Sequence, residues 1–131
     1  MICAVIDTNV IVSALICAGE SSPPARIVQA VFGGKVVPAV CDEILTEYLE
    51  VLSRPKFGFD TATVSTFVDG LSKLAVRSQV RKSGILLSDT DDVIFYDTAL
   101  ANNAVLITGN TRHFPDTPSV MTPAQFVKMF L

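Results

Sequence analysis

Short apolar runs alternate with longer amphipathic segments along the chain. The runs lie at residues 2–6, 35–39, 105–107 and 119–121 and contain few polar side chains. Runs of this length and composition are typical of strands that are buried on both faces of a parallel sheet. The pattern therefore predicts at least four strands.

The segments between the runs carry apolar residues at helical spacing and residues typical of helix ends. Ser22 followed by Pro23, and Thr122 followed by Pro123, combine a capping hydroxyl with a proline in the first turn. Asp60 opens another helix, whose apolar positions are Val64, Phe67, Val68, Leu71, Leu74 and Ala75. The remaining predicted helices cover about residues 9–16, 42–53 and 93–102.

Strands that alternate with helices predict an α/β fold with three layers, helices covering both faces of a central parallel sheet of four to five strands. We expect one domain over residues 1–131, because the chain is too short for two cores. Ligands of such sheets bind beyond the carboxyl ends of the strands. Residues 7–9 and 108–110 each follow a predicted strand, so we expect both groups at the same edge.

Composition narrows the class of protein. Half of the residues are hydrophobic and mean hydropathy is +0.48, yet no uncharged run reaches the roughly 18 residues needed to cross a bilayer. The first residues lack a basic start and carry Asp7, which argues against a signal peptide. We therefore expect a cytoplasmic protein without a membrane partner.

Three cysteines in apolar surroundings indicate reduced thiols, and with His113 as the single histidine a zinc site is disfavoured. The net charge of −3 does not suit a strong non-specific nucleic-acid binder. A polyanionic partner would require that something neutralise the acids where it binds.

The acidic residues are concentrated in two helical segments: Asp42, Glu43, Glu47 and Glu50 in the first, and Asp89, Asp91, Asp92 and Asp97 in the second. Bringing Asp7, Glu47 and Asp92 together without a cation costs roughly 4 kcal/mol per pair at about 4 Å and an effective dielectric constant near 20. A bound Mg²⁺ or Mn²⁺ removes this penalty, and carboxylate oxygens suit these hard ions. Such a site can activate water and stabilise phosphodiester cleavage.

Four segments of the chain resemble the PIN domain family, and more narrowly its small prokaryotic branch of VapC-like toxins. "VIDTNVIVSAL" resembles the first strand and acidic motif, "CDEILTEYLEVLSRPKF" the helix with the second acid, "LSDTDDVIFYDTALANNA" the third-acid segment, and "VLITGNTRHFP" the following strand and polar loop. The resemblance spans residues 2 to about 115. It places Asp7, Glu47 and Asp92 as metal ligands, with Thr8 and Asn9 as supporting polar groups.

The resemblance implies a PIN-like fold and a Mg²⁺- or Mn²⁺-dependent ribonuclease that cleaves RNA. It also implies a homodimer and, in the toxin branch, an antitoxin protein that blocks the site. Two positions depart from the family pattern. Asn110 stands where many members carry an aspartate, so the fourth acidic ligand is replaced by a neutral amide. Cys41 stands where a helix-capping serine is common, which affects local stability.

Each candidate residue also has a purely structural interpretation. Strand-end acids often cap turns or helices, and Glu47 taken alone is an ordinary helix residue. Thr108 is a candidate for orienting the nucleophilic water, but a hydroxyl at a strand end also caps turns. Asn110 is a candidate for contact with the metal or a phosphate, but it also suits a simple turn with Gly109. Asp97 is a second candidate for contact with metal-bound water. Arg112 and His113 are candidates for RNA phosphate contacts.

Two other functions remain open at this stage. A catalytically silent PIN-like domain that acts in RNA binding or protein assembly agrees with Asn110 and the acidic pI of about 4.9. A phosphatase with an aspartyl nucleophile also places an aspartate after its first strand. It is disfavoured because its second acid, two residues on, is Asn9 here.

Overall fold

A computed structural model describes residues 1–17 and 21–131 of the chain. Five strands form one parallel sheet in the order β3-β2-β1-β4-β5. The strands are β1 (Ile2–Ile6), β2 (Val36–Val40), β3 (Val76–Arg77), β4 (Val105–Ile107) and β5 (Val120–Met121). The predicted α/β class and the sheet of four to five parallel strands are confirmed.

Helices flank this sheet. In the described residues they are α1 (Thr8–Ile16), α2 (Pro23–Phe32), α3 (Asp42–Leu52), α4 (Thr61–Leu74), α5 (Val93–Asn102) and α6 (Pro123–Phe130). Helix α5 packs against β1, β2 and β4, while α3 packs against α1, α4 and α5. The apolar core includes Val5, Ile6, Ile44, Phe95 and Leu106, each at most 1% exposed. This core fixes the ends of β1, β4, α3 and α5 relative to one another.

The structure contains the predicted helix caps at Ser22, Asp60 and Thr122. The side chain of Ser22 accepts a hydrogen bond from the amide of Ala25, and the side chain of Asp60 accepts one from Thr63. Thr122 and Gln125 form the reciprocal capping box of α6. These polar residues satisfy amide groups that a helix start leaves unpaired.

Several boundaries differ from the predicted ones. Helix α1 begins at Thr8, one residue earlier than predicted, and strand β2 is displaced by one residue from 35–39 to Val36–Val40. Strand β3 was not predicted, because Val76 and Arg77 are both exposed and carry no burial pattern. A 3₁₀ turn, Thr90–Asp92, precedes α5, and the side chain of Asp89 caps this turn.

Candidate functional site

The strands β1 and β4 are neighbours at the point where the strand order of the sheet reverses. The chain runs outward from β1 through β2 to β3, then returns to place β4 on the other side of β1. Ile6 pairs with Ile107, and the amide of Asp7 donates to the carbonyl of Ile107 at 2.9 Å. Crevices at such reversals, beyond the carboxyl ends of the strands, are the usual ligand sites of open parallel sheets.

Asp7 and Thr108 meet at this crevice. Asp7 is 7% exposed, and its Oδ2 accepts a hydrogen bond of 2.7 Å from the hydroxyl of Thr108, which is fully buried. The hydroxyl of Thr108 in turn accepts from the amide of Asn110 at 3.0 Å. Although Asp7 occupies the N-cap position of α1, its side chain makes no capping hydrogen bond. The helix-cap interpretation of Asp7 therefore does not hold.

Helix α3 brings Glu47 to the same place. Thr8, the first residue of α1, is buried and donates a hydrogen bond from its hydroxyl to a carboxylate oxygen of Glu47. The next residue of α3, Tyr48, is 1% exposed and donates its hydroxyl hydrogen to the carbonyl of Ile6. Two successive residues thus fix α3 to the end of β1, and Glu47 faces the crevice.

Asp92 reaches the site from the start of α5. The carboxylate of Asp89 accepts a hydrogen bond of 2.9 Å from the amide of Asp91 and so stabilises the turn that presents Asp92. The Asp92 side chain is 14% exposed, and its Oδ2 lies 3.3 Å from Nδ1 of His113. That contact lacks hydrogen-bond geometry, so this buried oxygen has no hydrogen-bond partner among the residues described.

The electrostatics of the three acids reflect burial and mutual repulsion. Burial is the main cause that raises the pKa of Asp7, Glu47 and Asp92. The charge of Asp92 raises the pKa of Asp7 further, and the charges of Asp7, Asp91 and Asp92 do the same for Glu47. Hydrogen bonds from Thr108 to Asp7 and from Thr8 to Glu47 act in the opposite direction. The three acids therefore lie within one electrostatic neighbourhood.

Comparison with known proteins identifies the family. The model of the PIN domain matches residues 3–112. The chain belongs to the PIN domain family. PIN domains are a family of nucleases, so the resemblance seen in the sequence is confirmed at this level. No curated protein matches the chain.

Among solved structures, the fold is similar to that of a chain in the crystal structure of VapBC2 from Rickettsia felis. That complex is bound to a DNA fragment from the VapBC2 promoter. The TM-score is 0.57 with 14% sequence identity, and the match covers 92% of this chain and 97% of that chain. At this level of identity the similarity is one of fold. No helix in the described part of this PIN domain is long and apolar enough to cross a membrane.

The remaining candidate residues of this PIN domain take different positions. Asn9 is exposed, and its side-chain oxygen accepts a long contact of 3.5 Å from the amide of Gly109. Asn110 is exposed at the start of the 3₁₀ turn Thr111–His113, and its side chain does not cap that turn. Asp97 is 3% exposed, and its Oδ2 accepts from the amide of Ser83 at 3.2 Å. Asp97 thus anchors the segment that precedes Asp89.

Two side-chain contacts at the site were not predicted from the sequence. His113 was considered for RNA contact, but the structure places it beside Asp92; no spacing rule connects these residues, because the contact depends on how the loop after β4 folds back. The role of Tyr48 was also missed. Its position next to Glu47 on a predicted amphipathic helix indicated that it points inward. Its partner is a backbone carbonyl, which every residue carries, so the hydrogen bond could not be recognised from the sequence.

The donor set of this PIN domain suits a hard divalent cation. Within residues 1–17 and 21–131, no three His, Cys, Asp or Glu side chains are arranged closely enough to hold a metal ion. Asp7 and Glu47 are instead held by threonine hydroxyls. The partnerless oxygen of Asp92 and the raised pKa values are nevertheless what a cation would relieve.

Proposed function

We propose that the chain is an endoribonuclease dependent on Mg²⁺ or Mn²⁺, which hydrolyses RNA phosphodiester bonds. Asp7, Glu47 and Asp92 are the proposed metal ligands, and Asn110 completes the site with a neutral oxygen. The observation that carries the proposal is the gathering of these acids at the strand-order reversal of a PIN domain. A divalent ion bound there supplies charge neutralisation for the phosphodiester and lowers the pKa of a bound water.

The residues of the chain have distinct roles in this proposal. Thr108 is a positioning residue: its single hydroxyl proton is donated to Asp7, so it orients the carboxylate and not the nucleophilic water directly. Thr8 holds Glu47 in the same way. His113, whose Nδ1 lies 3.3 Å from Oδ2 of Asp92, lowers the pKa of both Asp92 and Asp7 when it is protonated and so favours their ionised forms.

We further propose that this nuclease is the toxin of a type II toxin–antitoxin pair, acts in the cytoplasm and forms a homodimer. Residues 1–131 then constitute a single PIN domain. The fold similarity to a VapBC2 chain supports an antitoxin protein as partner. Large apolar side chains are exposed at Ile16, Phe32 and Leu74, with exposed fractions of 61%, 46% and 44%. They offer apolar surface for a second copy or an antitoxin.

The proposal is tested with purified protein and a fluorogenic RNA across a Mn²⁺ titration. We expect Asp7→Asn, Glu47→Gln and Asp92→Asn each to reduce cleavage by more than the roughly 10–100-fold that loss of a residue supporting a metal ligand typically costs. Asp91→Asn and Glu43→Gln are matched controls, because both acids are exposed on the same elements. Cleavage that survives EDTA, or that all variants share equally, contradicts the proposal.

A second candidate function is a silent PIN domain that binds RNA or a protein without cutting. Asn110 in place of an acid favours it, as does the absence of a closed three-residue metal group in the described chain. Titration calorimetry with Mn²⁺ separates the two candidates. A nuclease gives saturable heat that Asp7→Asn removes, whereas a silent domain that has lost its site gives none.

A further inference from the structure

His113 lies against one of the proposed metal ligands without forming a hydrogen bond to it. Its Nδ1 is 3.3 Å from Oδ2 of Asp92, and that oxygen is buried without a hydrogen-bond partner in the part of the chain that the structure describes. Buried carboxylate oxygens are normally paired, because an unpaired acceptor is costly. A neutral imidazole nitrogen and a carboxylate oxygen can both act as ligands to a cation beside this contact.

The distance between these two atoms suits neighbouring ligands of one cation. An octahedral ion with bonds of about 2.0–2.1 Å holds adjacent ligand atoms about 3 Å apart. The separation of 3.3 Å between Nδ1 of His113 and Oδ2 of Asp92 is close to this value. The contact therefore has the spacing expected of two atoms that share a metal ion.

His113 belongs to the crevice that gathers the acids. Its charge lowers the pKa of Asp7 as well as that of Asp92, so the ring lies near two of the proposed ligands. The side chain of His113 is 47% exposed, which leaves it open to an ion that arrives from solvent. The imidazole is thus both close to the acids and accessible.

The turn that carries His113 connects it to position 110, where this chain lacks the acid that many PIN domains have. The amide of His113 donates to the carbonyl of Asn110 at 3.0 Å across the 3₁₀ turn Thr111–His113. Side chains three residues apart in a 3₁₀ helix lie on the same side. A ligand at position 113 can therefore serve the region that an acid at position 110 would serve.

We propose that Nδ1 of His113 is a ligand of the Mn²⁺ ion that Asp7, Glu47 and Asp92 bind. This inference rests on the proposed function and adds a nitrogen donor to its oxygen ligands. An imidazole nitrogen is a softer donor than a carboxylate oxygen, so it binds Mn²⁺ better than the harder Mg²⁺. The site should therefore prefer Mn²⁺ over Mg²⁺.

The chain offers a direct test, because His113 is its only histidine. The full chain is prepared without a histidine tag, either unlabelled or with ¹⁵N in histidine alone. It is loaded with less than one equivalent of Mn²⁺ at pH 8, where free imidazole is neutral. Pulsed EPR detects nitrogen bound to the ion, and we expect a coupling that changes from ¹⁴N to ¹⁵N with the label. Neither this coupling nor tight Mn²⁺ binding should survive Asp7→Asn.

A variant gives a second measurement, whose sign separates a ligand from a mere charge. His113→Gln should raise the dissociation constant of Mn²⁺ by at least about tenfold, as for loss of a supporting group at a metal site, and that of Mg²⁺ by less. If His113 were only a positive charge beside the acids, its removal would strengthen the binding of both ions. Arg112→Lys keeps the charge of the neighbouring residue and is the matched control, with both constants unchanged.

Four outcomes overturn the inference. Mn²⁺ binding that Asp7→Asn removes but that shows no histidine coupling leaves the proposed nuclease site with oxygen ligands alone. A histidine coupling that persists in Asp7→Asn places the ion elsewhere. Unchanged or tighter Mn²⁺ binding in His113→Gln excludes a ligand role. Absence of Mn²⁺ binding to the unmodified chain overturns the proposed metal site as well, so the two failures are distinguishable.

Discussion

Thr108 and Asp7 are 101 positions apart in the chain, yet the hydroxyl of Thr108 donates a hydrogen bond of 2.7 Å to Oδ2 of Asp7. The bond joins the ends of two neighbouring strands at the strand-order reversal of the sheet. It also lowers the pKa of Asp7 against the stronger effect of burial. A buried carboxylate is thereby kept oriented and more readily ionised at the position where the proposed metal binds.

Replacing Thr108 tests this relationship. Thr108→Val preserves shape but removes the donor, and we expect a loss of about 1–3 kcal/mol in the free energy of unfolding at pH 7, because Asp7 loses a buried partner. Cleavage of RNA should fall as well. Thr108→Ser retains the hydroxyl and serves as the control. Urea denaturation without metal measures the stability, and equal stability of Thr108→Val and the unmodified chain contradicts the assigned role.

The charge of Asp7 should destabilise the metal-free protein. Folding raises the pKa of Asp7, so the folded state binds the proton more tightly and the carboxyl group's contribution to stability is lost as pH rises through its raised pKa. Asp7→Asn does not ionise. We expect this variant to match the unmodified chain at a pH below 3.8, the ordinary value, and to become more stable above the raised pKa, by roughly 0.5–2 kcal/mol.

Thermal unfolding in EDTA between pH 3.5 and pH 8 measures this difference. Asp91→Asn is the control, because it removes the same charge from an exposed position. The prediction is contradicted if the difference in unfolding midpoint between Asp7→Asn and the unmodified chain becomes smaller as pH rises.

Metal should reverse the order of stability. At a Mn²⁺ concentration about 100 times the dissociation constant, the unmodified chain should gain about 2.7 kcal/mol, because the ion binds only the folded state. Asp7→Asn, which lacks a ligand charge, should gain much less. The change is measured as the shift of the unfolding midpoint on adding Mn²⁺ to chelator-treated protein. Equal gains in both proteins indicate that the ion binds elsewhere.

The sequence was most informative where a local rule applies. Ser22, Asp60 and Thr122 were recognised as helix caps because their side chains act within three residues. The meeting of Asp7 with Thr108 followed from the rule on carboxyl ends of parallel strands, which requires only that both strands be recognised.

Contacts set by loop geometry and side-chain direction were not predictable in the same way. The approach of His113 to Asp92 and the bond from Tyr48 to a carbonyl depend on tertiary packing. Asp97 illustrates the limit: its place about one and a half helical turns beyond Asp92 suggested contact with metal-bound water, whereas the structure turns its carboxylate toward Ser83. Residues five apart on a helix differ by well over 90° in direction, and the spacing alone does not say which face is shared.

Asn110 offers a test of gained function. It is exposed just beyond Thr108, and Asn110→Asp supplies the acid that many PIN domains carry there. We expect the Mn²⁺ concentration for half-maximal cleavage to fall by about tenfold, because an added charge strengthens the binding of a hard cation. Asn103→Asp, at the exposed end of α5, is the control. An unchanged Mn²⁺ requirement shows that position 110 does not contribute to the site.

Helix α3, which carries Glu47, lacks a proper cap. Cys41 occupies the N-cap position with φ −133° and ψ 175°, and its side chain makes no capping hydrogen bond. Burial raises the pKa of the Cys41 thiol, so the side chain stays a neutral and weak acceptor. Cys41→Ser introduces a better acceptor of similar size, and we expect a gain of about 0.5–1 kcal/mol in the free energy of unfolding.

Cys41→Ala is the matched comparison, because it removes the sulfur without adding an acceptor. Urea denaturation at pH 7 should rank the serine variant above the unmodified chain and the alanine variant below it. The side chain is 3% exposed, and Thr98 lies 3.6 Å from the sulfur with a hydroxyl that can also pair with serine. A serine variant that is no more stable than the alanine variant would mean that burying the hydroxyl costs as much as the cap contributes.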